Sequence, residues 1–315
     1  MSDVRSIPNM RDVIMAAIID LARKHPEVVM LDADLASCLN SSTFEKEFGN
    51  RFFNCGIAEA NMVGVAAGQA STGLVPFAHS FGCFASRRAY DQWFLSVGYA
   101  KQTVHLIGTD PGITAQLNGG THMPFEDIAL MRQVPGITIL EPSDAFSGYA
   151  LTLQAYDSGK SSYTRIRRKG VIQIYDEKTQ FTIGKGIELK DGKDVAIVAT
   201  GDIMVPGALE AAKALEAKGI KATVVDLHTI RPLDTELLEK VAKRTGKVLV
   251  CENGRYAGGV GEAVASHLAR TNPVKMDFLN VGERYGEVGK LGYLAETFGF
   301  TPAMIAELAE KLAKA

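Results

Sequence analysis

The chain has few of the features that mark secreted, membrane-spanning or nucleic-acid-binding proteins. It contains four cysteines and one tryptophan among 315 residues, and no apolar run approaches the length of a bilayer span. The cysteines lack the paired spacing of a zinc site, so we expect reduced thiols in a cytoplasmic protein. The first residues lack the apolar core of a signal peptide. The net charge of -2 argues against nucleic acid or a membrane surface as a partner.

What the chain does have is a regular alternation of short apolar strand patterns with helical patterns, such as an amphipathic helix predicted at 84–100. This alternation predicts an α/β fold with mostly parallel sheets and helices on both faces of each sheet. A charged, glycine-containing segment at 176–189 interrupts it. We therefore predict two domains, 1–175 and 190–315, joined by that linker.

Several polar side chains directly follow predicted strands of the first domain. Asp34, Glu59, Ser80 and the glycine-rich loop 110–122 are in such positions. Ligands bind to sheets of this type in the loops beyond the carboxyl ends of the strands. We therefore expect these groups to lie together at one edge of the first sheet.

Glu59 begins a predicted helix that is unusually poor in large side chains. The segment 52–72 reads FFNCGIAEANMVGVAAGQAST, with Gly64 and Gly68 inside the helix despite their low helix propensity. One interpretation is that Glu59 is a solvated first-turn residue that faces the positive end of the helix dipole. The other is a partly desolvated carboxyl group used for proton transfer, because apolar and small residues flank it on both sides.

Other candidate residues follow the third and fourth predicted strands. Phe81 and Phe84 are either ordinary core residues or aromatic faces that stack on a flat ligand. His122 lies in the glycine-rich loop, where function concentrates. The residues alone show no nucleophile–base pair, metal cage or phosphate-binding glycine loop.

A basic cluster lies at or just after the end of the last strand of this half. It consists of Arg165, Arg167, Arg168 and Lys169. The cluster is either solvated or a site for an anionic group such as a sugar phosphate, and the residues alone do not separate these interpretations.

Residues 51–68, RFFNCGIAEANMVGVAAG, closely resemble the pyrimidine-binding motif of transketolases. The resemblance continues at 31–35 (LDADL), at Phe81 and Phe84, and through four later segments. These segments are 88–92 (RAYDQ), 121–122 (TH), 126–129 (EDIA) and 227–234 (LHTIRPLD). The chain thus resembles the C-terminal subunit of a split transketolase, with a pyrimidine-binding domain followed by a transketolase C-terminal domain.

The resemblance implies thiamine diphosphate as cofactor and a set of residues that contact it. Glu59 would hydrogen-bond N1′ of the aminopyrimidine and would be the main catalytic residue. Phe81 and Phe84 would wall the pyrimidine ring, and three further residues would lie near the cofactor. These are Asp34, Leu35 and Ile57.

The resemblance also implies substrate contacts. His122 would contact the hydroxyl groups or the carbonyl oxygen of the sugar and assist catalysis. The remaining implied substrate residues are Arg11, Asp110, Asn118, Arg165 and Arg168.

Three positions depart from the family pattern. Asp110 stands where a phosphate-side histidine is usual, Asn118 replaces an aspartate, and Arg87 replaces a frequent tyrosine. These differences predict a donor or acceptor sugar other than the usual pentose phosphates.

The family's diphosphate and metal anchor, a Gly-Asp-Gly motif with an asparagine about thirty residues later, is missing from this chain. The resemblance therefore implies an N-terminal partner subunit that binds the diphosphate together with Mg²⁺ or Ca²⁺, in an α2β2 heterotetramer. This chain would supply no metal ligand of its own.

Three rival interpretations remain. The chain could be the β subunit of a thiamine-dependent 2-oxo acid dehydrogenase, half of a 1-deoxyxylulose-phosphate synthase, or a non-catalytic scaffold subunit. The surroundings of Glu59 and His122 resemble transketolase more closely than either enzyme rival.

Overall fold

The computed structural model describes residues 4, 7, 9–170 and 172–315, and in that part of the chain the strands form two sheets. The sequence predicts that the N-terminal segment is not a signal peptide. Most of that segment lies outside the described residues. Within the described residues no helix combines the length and the apolar character that crossing a bilayer requires.

The first sheet is mostly parallel, and the carboxyl ends of its central strands meet at one edge. Its described strands, in spatial order, are β10 (Thr229–Arg231), β5 (Thr138–Leu140), β6 (Ser162–Ile166), β4 (His105–Thr109), β3 (Val75–Phe81), β1 (Val28–Asp32) and β2 (Phe52–Asn54). Only β10 runs antiparallel to its neighbour among these described strands. Strands β1, β4 and β6 are buried along their whole length, as expected for a sheet covered on both faces.

The second sheet comes from the C-terminal half of the chain. Its described strands, in spatial order, are β12 (Lys275–Leu279), β11 (Lys247–Cys251), β8 (Val195–Ala199), β9 (Ala222–Asp226) and β7 (Ile187–Lys190). They are parallel except for β7, which pairs antiparallel with β9 at the sheet edge.

Helices cover both sheets and connect the strands. In the first half they are α1 (Met10–Ala22), α2 (Ala36–Leu39), α3 (Ser42–Phe48), α4 (Glu59–Ser71), α5 (Gly82–Arg87), α6 (Tyr90–Gln92), α7 (Asp127–Arg132) and α8 (Ala145–Asp157). In the second half they are α9 (Gly201–Glu216), α10 (Thr235–Thr245), α11 (Val260–Thr271), α12 (Leu291–Phe298) and α13 (Pro302–Lys314).

The predicted α/β class with two mostly parallel sheets is confirmed. The single helix predicted at 84–100 is wrong. The chain forms α5, breaks at Ala89, whose backbone is not helical, and then forms α6 and a π-helical turn, Trp93–Tyr99. The apolar spacing runs through this break, so the hydrophobic pattern could not reveal it.

The two halves of the chain pack against each other through a loop of the first half. Ile113, Ala115, Met123 and Phe125 are buried in one apolar cluster with side chains of β8, α9, α12 and α13. Asn253, just after β11, holds the same loop, because its side chain accepts from the Ile113 backbone N–H at 3.1 Å and donates to the Pro111 carbonyl at 2.9 Å. The second half thereby sets the position of the loop that carries His122.

Candidate active site

The carboxyl edge of the first sheet brings most of the sequence-predicted residues onto neighbouring loops. Asp34 follows β1, Glu59 follows β2, and Phe81 ends β3. Asp110 follows β4 and Arg168 follows β6. The site is therefore built by the ends of five adjacent parallel strands, which is where such sheets bind ligands.

Glu59 is buried, although it is the first residue of α4. It is 1% exposed, and its two carboxylate oxygens have different partners. The hydroxyl of the buried Ser80 donates to Oε1 at 3.0 Å, whereas Arg88 Nη1 donates to Oε2 at 2.8 Å. The interpretation of Glu59 as a solvated first-turn residue is therefore wrong, because its carboxylate is withdrawn from solvent and bonded to Ser80 and Arg88.

An aromatic group stands at the same edge. The His122 ring lies edge-on to Phe81 at 5.5 Å and to Phe84 at 5.1 Å, measured between centroids. Leu35 packs against the same group. Arg88 connects the group to Glu59, since its guanidinium carbon lies 4.0 Å from the Phe84 ring centroid. The structure thus gathers a carboxylate, two phenyl rings and an imidazole.

A buried polar network, which the sequence did not indicate, supports the loop that carries Leu35. Asp32 Oδ2 accepts from the Ser41 hydroxyl at 2.9 Å and lies 2.9 Å from His79 Nδ1. The other ring nitrogen of His79 lies 3.2 Å from the Thr109 hydroxyl. The network ties the ends of β1, β3 and β4 together and so fixes the spacing of the loops above them.

Asp34 and Ile57 lie on the open side of the site. Asp34 has a positive φ of 62° and accepts from Asn54 Nδ2 at 3.0 Å, which holds the β1 and β2 loops together. Ile57 is 75% exposed, an unusual placement for a large aliphatic side chain. Its exposure leaves it free to contact a ligand or a partner surface.

Asp110, Asn118 and Arg168 line one cavity of about 220 Å³. Asp110 is buried, forms an ion pair with the Arg168 guanidinium and accepts from the Arg168 backbone N–H at 3.1 Å. Burial raises the pKa of Asp110 above its ordinary value, and the charge of Arg168 opposes that rise. Arg168 also lies 5.0 Å from the Phe81 ring centroid, so this cavity adjoins the aromatic group.

Arg11 is beside Arg168, because its backbone N–H donates to the Arg168 carbonyl at 3.3 Å. Its guanidinium donates to the Ser37 carbonyl at 2.8 Å and lies 3.5 Å from the carboxylate of Asp12. Arg11 is therefore within the same part of the molecule as Arg168, at the start of α1.

Arg165 does not join these residues. It is 1% exposed, and its guanidinium lies 3.1 Å from Asp127 and 3.4 Å from Glu141. It also donates to the Asn253 carbonyl at 3.0 Å. We therefore assign Arg165 to the contact between the two halves of the chain and not to a substrate phosphate, which would need an accessible guanidinium.

The buried acids around Arg165 have perturbed proton affinities. Burial raises the pKa of Asp127 to about 6, although Arg165 and the Tyr163 hydroxyl oppose the rise. Burial also raises the pKa of Glu252 to about 7. Its carboxylate accepts hydrogen bonds from the backbone N–H groups of Val260 and Gly261, and these bonds oppose the rise. These acids lie beneath the loops, between the two halves.

Sequence reasoning did not assign Arg88, His79 or Asn253 to the site. Arg88 is 29 residues from Glu59, and Asn253 lies in the other half of the chain, so no local spacing connects either residue to the site. His79 sits inside a strand pattern, where a histidine is usually a satisfied core residue. In the described ranges, no group of three or more His, Cys, Asp or Glu side chains is placed to hold a metal ion.

Comparison with family models matches almost the whole chain. Residues 7–171 match the transketolase pyrimidine-binding domain, and residues 184–305 match the transketolase C-terminal domain.

Two curated relatives are named for the sugars on which they act. The 6-deoxy-6-sulfo-D-fructose transketolase subunit SqwH of Clostridium sp. (strain MSTE9) is 43% identical over 303 residues, which are 96% of this chain and 94% of that protein. A subunit of the apulose-4-phosphate transketolase of Phocaeicola vulgatus is 32% identical over 265 residues, 84% of each chain.

Solved structures agree with the fold. A split gene transketolase, described as an inactive beta4 tetramer, superposes with a TM-score of 0.88 at 37% identity and covers 98% of both chains. Transketolase from Campylobacter jejuni superposes with a TM-score of 0.83 at 20% identity. It covers 96% of this chain and 46% of that chain, so it supports the fold alone.

Proposed function

The chain belongs to the transketolase family, as the C-terminal subunit of a split enzyme, and from this premise we propose that it transfers a two-carbon ketol unit between sugars when joined by an N-terminal partner. In the net reaction the C2–C3 bond of a ketose breaks and its first two carbons join C1 of an aldose. No oxidant or reductant is consumed. The observation that carries the proposal is the buried carboxylate of Glu59, which Arg88 connects to the aromatic group.

The donor set fits the pyrimidine half of thiamine diphosphate, on which the family depends. Glu59 offers a desolvated carboxylate at the start of α4, and Phe81 and Phe84 offer aromatic faces that Arg88 connects to it. Asp34, Leu35 and Ile57 complete the proposed cofactor contacts. When bound, thiamine diphosphate supplies the carbanion chemistry of ketol transfer.

In this proposal Glu59 Oε2 holds a proton at the N1′ position of the aminopyrimidine. When the pyrimidine binds, Arg88 would release Oε2 or share it, because the Arg88 side chain is 48% exposed. Ser80 is buried and would keep its position. His122 faces the substrate and holds a hydroxyl group or the carbonyl oxygen. Phe81 and Phe84 would face the pyrimidine ring and shield it from water.

We propose that residues 1–175 supply the pyrimidine and substrate contacts and that residues 190–315 hold the 110–122 loop in place through Asn253. The Gly-Asp-Gly anchor is absent from the sequence. A partner subunit would therefore bind the diphosphate with Mg²⁺ or Ca²⁺, in an α2β2 heterotetramer. The related tetramer of one subunit type, which is described as inactive, supports this dependence.

The substrate is proposed to be a sugar other than the usual pentose phosphates. The named activities of the two curated relatives support this, as does the pairing of Asp110 with Arg168 in the cavity. Arg11, Asn118 and His122 are the other substrate contacts we propose. We place the enzyme in the cytoplasm, where its four free thiols stay reduced.

The proposal is tested by co-expressing this chain with an N-terminal transketolase subunit that carries Gly-Asp-Gly, for which the adjacent reading frame is the first place to search. Thiamine diphosphate and Mg²⁺ are added, and ketol transfer is followed with several ketose donors and aldose acceptors. We expect transfer by the complex and none by either subunit alone. Activity of this chain by itself would contradict the need for a partner. Reductive acetylation of a lipoyl domain by the complex would instead favour the 2-oxo acid dehydrogenase interpretation.

A further inference from the structure

We propose that the cavity formed by Asp110, residues 116–118 and residues 167–169, here named the anion pocket, selects sugars whose distal end carries a single negative charge over sugars that end in a phosphate. This inference rests on the proposed function, because it assigns the far end of the same substrate.

Both arginines of the anion pocket already form an ion pair with a carboxylate of this chain. Arg168 pairs with Asp110, and Arg167 lies 3.1 Å from Asp202. Each pair contributes no net charge to a ligand in the cavity. The neighbouring Arg11 is also paired, because its guanidinium lies 3.5 Å from the carboxylate of Asp12.

Lys169 supplies the excess charge of the pocket. Its side chain is exposed, and its ammonium makes no ion pair or hydrogen bond with any part of the chain that the structure describes. Its backbone is held, because the Arg167 side chain donates to the Lys169 carbonyl. The pocket therefore presents about one net positive charge, which matches one negative charge on a ligand.

The carboxylate of Asp110 discriminates against a second negative charge. It is 1% exposed, its backbone has a positive φ of 59°, and the Arg168 backbone N–H holds it in place. A sulfonate carries one charge. A phosphate ester carries about -1.5 to -2 at pH 7. The second charge of a phosphate would meet Asp110 without a free cation to balance it.

Gln116 and Asn118 complete the pocket without adding charge. Gln116 has φ 52° and ψ -118°, a conformation that a residue with a side chain rarely adopts. Strain of this kind persists where the surroundings impose it, and it is typical of ligand sites. The two carboxamides can donate to hydroxyl groups or to sulfonate oxygens, so they favour polar ligands but leave the charge balance to Lys169.

Three ketoses that differ only at carbon 6 test the inference. The reconstituted complex is assayed with fructose carrying a sulfonate in place of the 6-hydroxyl, with fructose 6-phosphate, and with fructose itself. We expect kcat/KM for the sulfonate to exceed that for the phosphate by about tenfold or more, on the scale of one unbalanced charge near a protein surface. A preference for the phosphate overturns the inference.

Two variants locate the effect. Lys169→Ala should lower kcat/KM for the sulfonated ketose about tenfold and leave that for fructose unchanged, whereas Lys169→Arg should restore it. Lys178→Ala, which removes an exposed lysine of the linker segment, is the matched control. Asp110→Asn should shift the preference toward the phosphate. If that buried substitution prevents folding, the exposed Lys169 variants still decide the question. An equal loss for charged and neutral ketoses overturns the inference.

Calorimetric titration of the complex with the same three ketoses separates this inference from the proposed function. Selective binding of the sulfonated ketose without any ketol transfer supports the anion pocket and overturns the function. Ketol transfer with no charge preference in rate or binding supports the function and overturns the anion pocket.

Discussion

Arg88 donates a 2.8 Å hydrogen bond to the buried carboxylate of Glu59 while its guanidinium lies over the ring of Phe84. The acid is 1% exposed, whereas the arginine side chain is 48% exposed. One partner of the carboxylate can therefore move into solvent, and the other, Ser80, cannot. From this asymmetry we propose that a ligand reaches Oε2 without disturbing Oε1.

Glu59→Gln should abolish most ketol transfer by the reconstituted complex. The amide keeps the shape of the side chain but cannot hold an exchangeable proton at a ring nitrogen. We expect kcat to fall by at least about a hundredfold, the usual scale for general acid–base groups. Glu45→Gln, at an exposed position of α3, is the control. Parent-like activity of Glu59→Gln would favour a scaffold role for the subunit.

A double-mutant cycle of Arg88→Met and Glu59→Gln should reveal coupling in the free energy of unfolding. Losing the cation leaves a buried carboxylate oxygen without a donor, but the exposed arginine is partly screened by water. We therefore expect a coupling energy of about 1 kcal/mol, between the ranges for surface pairs and for buried charged hydrogen bonds. Urea unfolding measures it. Additive effects of the two substitutions would show that the contact contributes nothing in solution.

Phe84→Leu should weaken thiamine diphosphate binding by the complex. Leucine retains apolar bulk but loses the flat face, and aromatic contacts contribute about 0.5–1.5 kcal/mol beyond their buried area. The dissociation constant should rise roughly 3- to 10-fold, measured by titration with Mg²⁺ present. Phe48→Leu makes the same substitution in α3, where the ring packs against Phe44 and not against His122. An equal effect of both substitutions would point to general destabilisation.

Hydrophobic patterns alone predict the alternation of strands and helices and the sheet edge where Glu59 lies. They can do so because the spacing of apolar residues and the turn residues between elements are local properties of the sequence. They miss the break at Ala89, since the apolar spacing continues through it. They also miss β10, a short strand from the second half that pairs with the edge of the first sheet. Its partner is about ninety residues away in the sequence, and no local signal encodes that pairing.

In the candidate site, too, local features could be predicted from the sequence, whereas contacts that depend on tertiary packing could not. Resemblance to the family suggests roles for Glu59 and Phe84, but the contact between Glu59 and Arg88 depends on how α4 and α5 pack. The run of basic residues at 165–169 looks uniform in the sequence. In the structure Arg165 is buried because it lies within β6, which is buried on both faces, whereas Lys169 is exposed because it lies past the end of that strand, where the chain leaves the sheet.

Arg165→Met should destabilise the protein strongly. The substitution leaves the carboxylates of Asp127 and Glu141 buried without their cation. We expect the free energy of unfolding to fall by roughly 3–5 kcal/mol near neutral pH, the range for breaking a buried ion pair. Arg165→Lys should recover only part of this, because one ammonium cannot replace a planar fork of donors. Arg270→Met, at an exposed site on α11, is the control for urea unfolding. A loss below about 1 kcal/mol, the scale of surface pairs, would contradict a buried structural role.

Asp226 should make the protein less stable as the pH rises toward neutrality. It lies at the end of β9, fully buried, and accepts from the Tyr175 hydroxyl at 2.6 Å and the Ser143 hydroxyl at 2.9 Å. Burial raises its pKa from the ordinary 3.8 to about 7, against the effect of these two hydrogen bonds.

The folded chain therefore keeps this proton up to about pH 7, whereas the unfolded chain releases it near pH 4. The contribution of Asp226 to stability is fully present below about pH 4 and is lost as the pH rises through about 7. At about 1.36 kcal/mol per pKa unit, the loss amounts to at most roughly 4 kcal/mol. Asp226→Asn removes the titrating proton but can still accept from Tyr175, so its unfolding free energy should vary less between pH 4 and pH 7. Asp157→Asn, at the exposed end of α8, should leave the pH profile of the parent unchanged. Because the two substitutions are chemically identical, coincident profiles for all three proteins in urea unfolding would mean that the pKa of Asp226 is the same in the folded and unfolded chains.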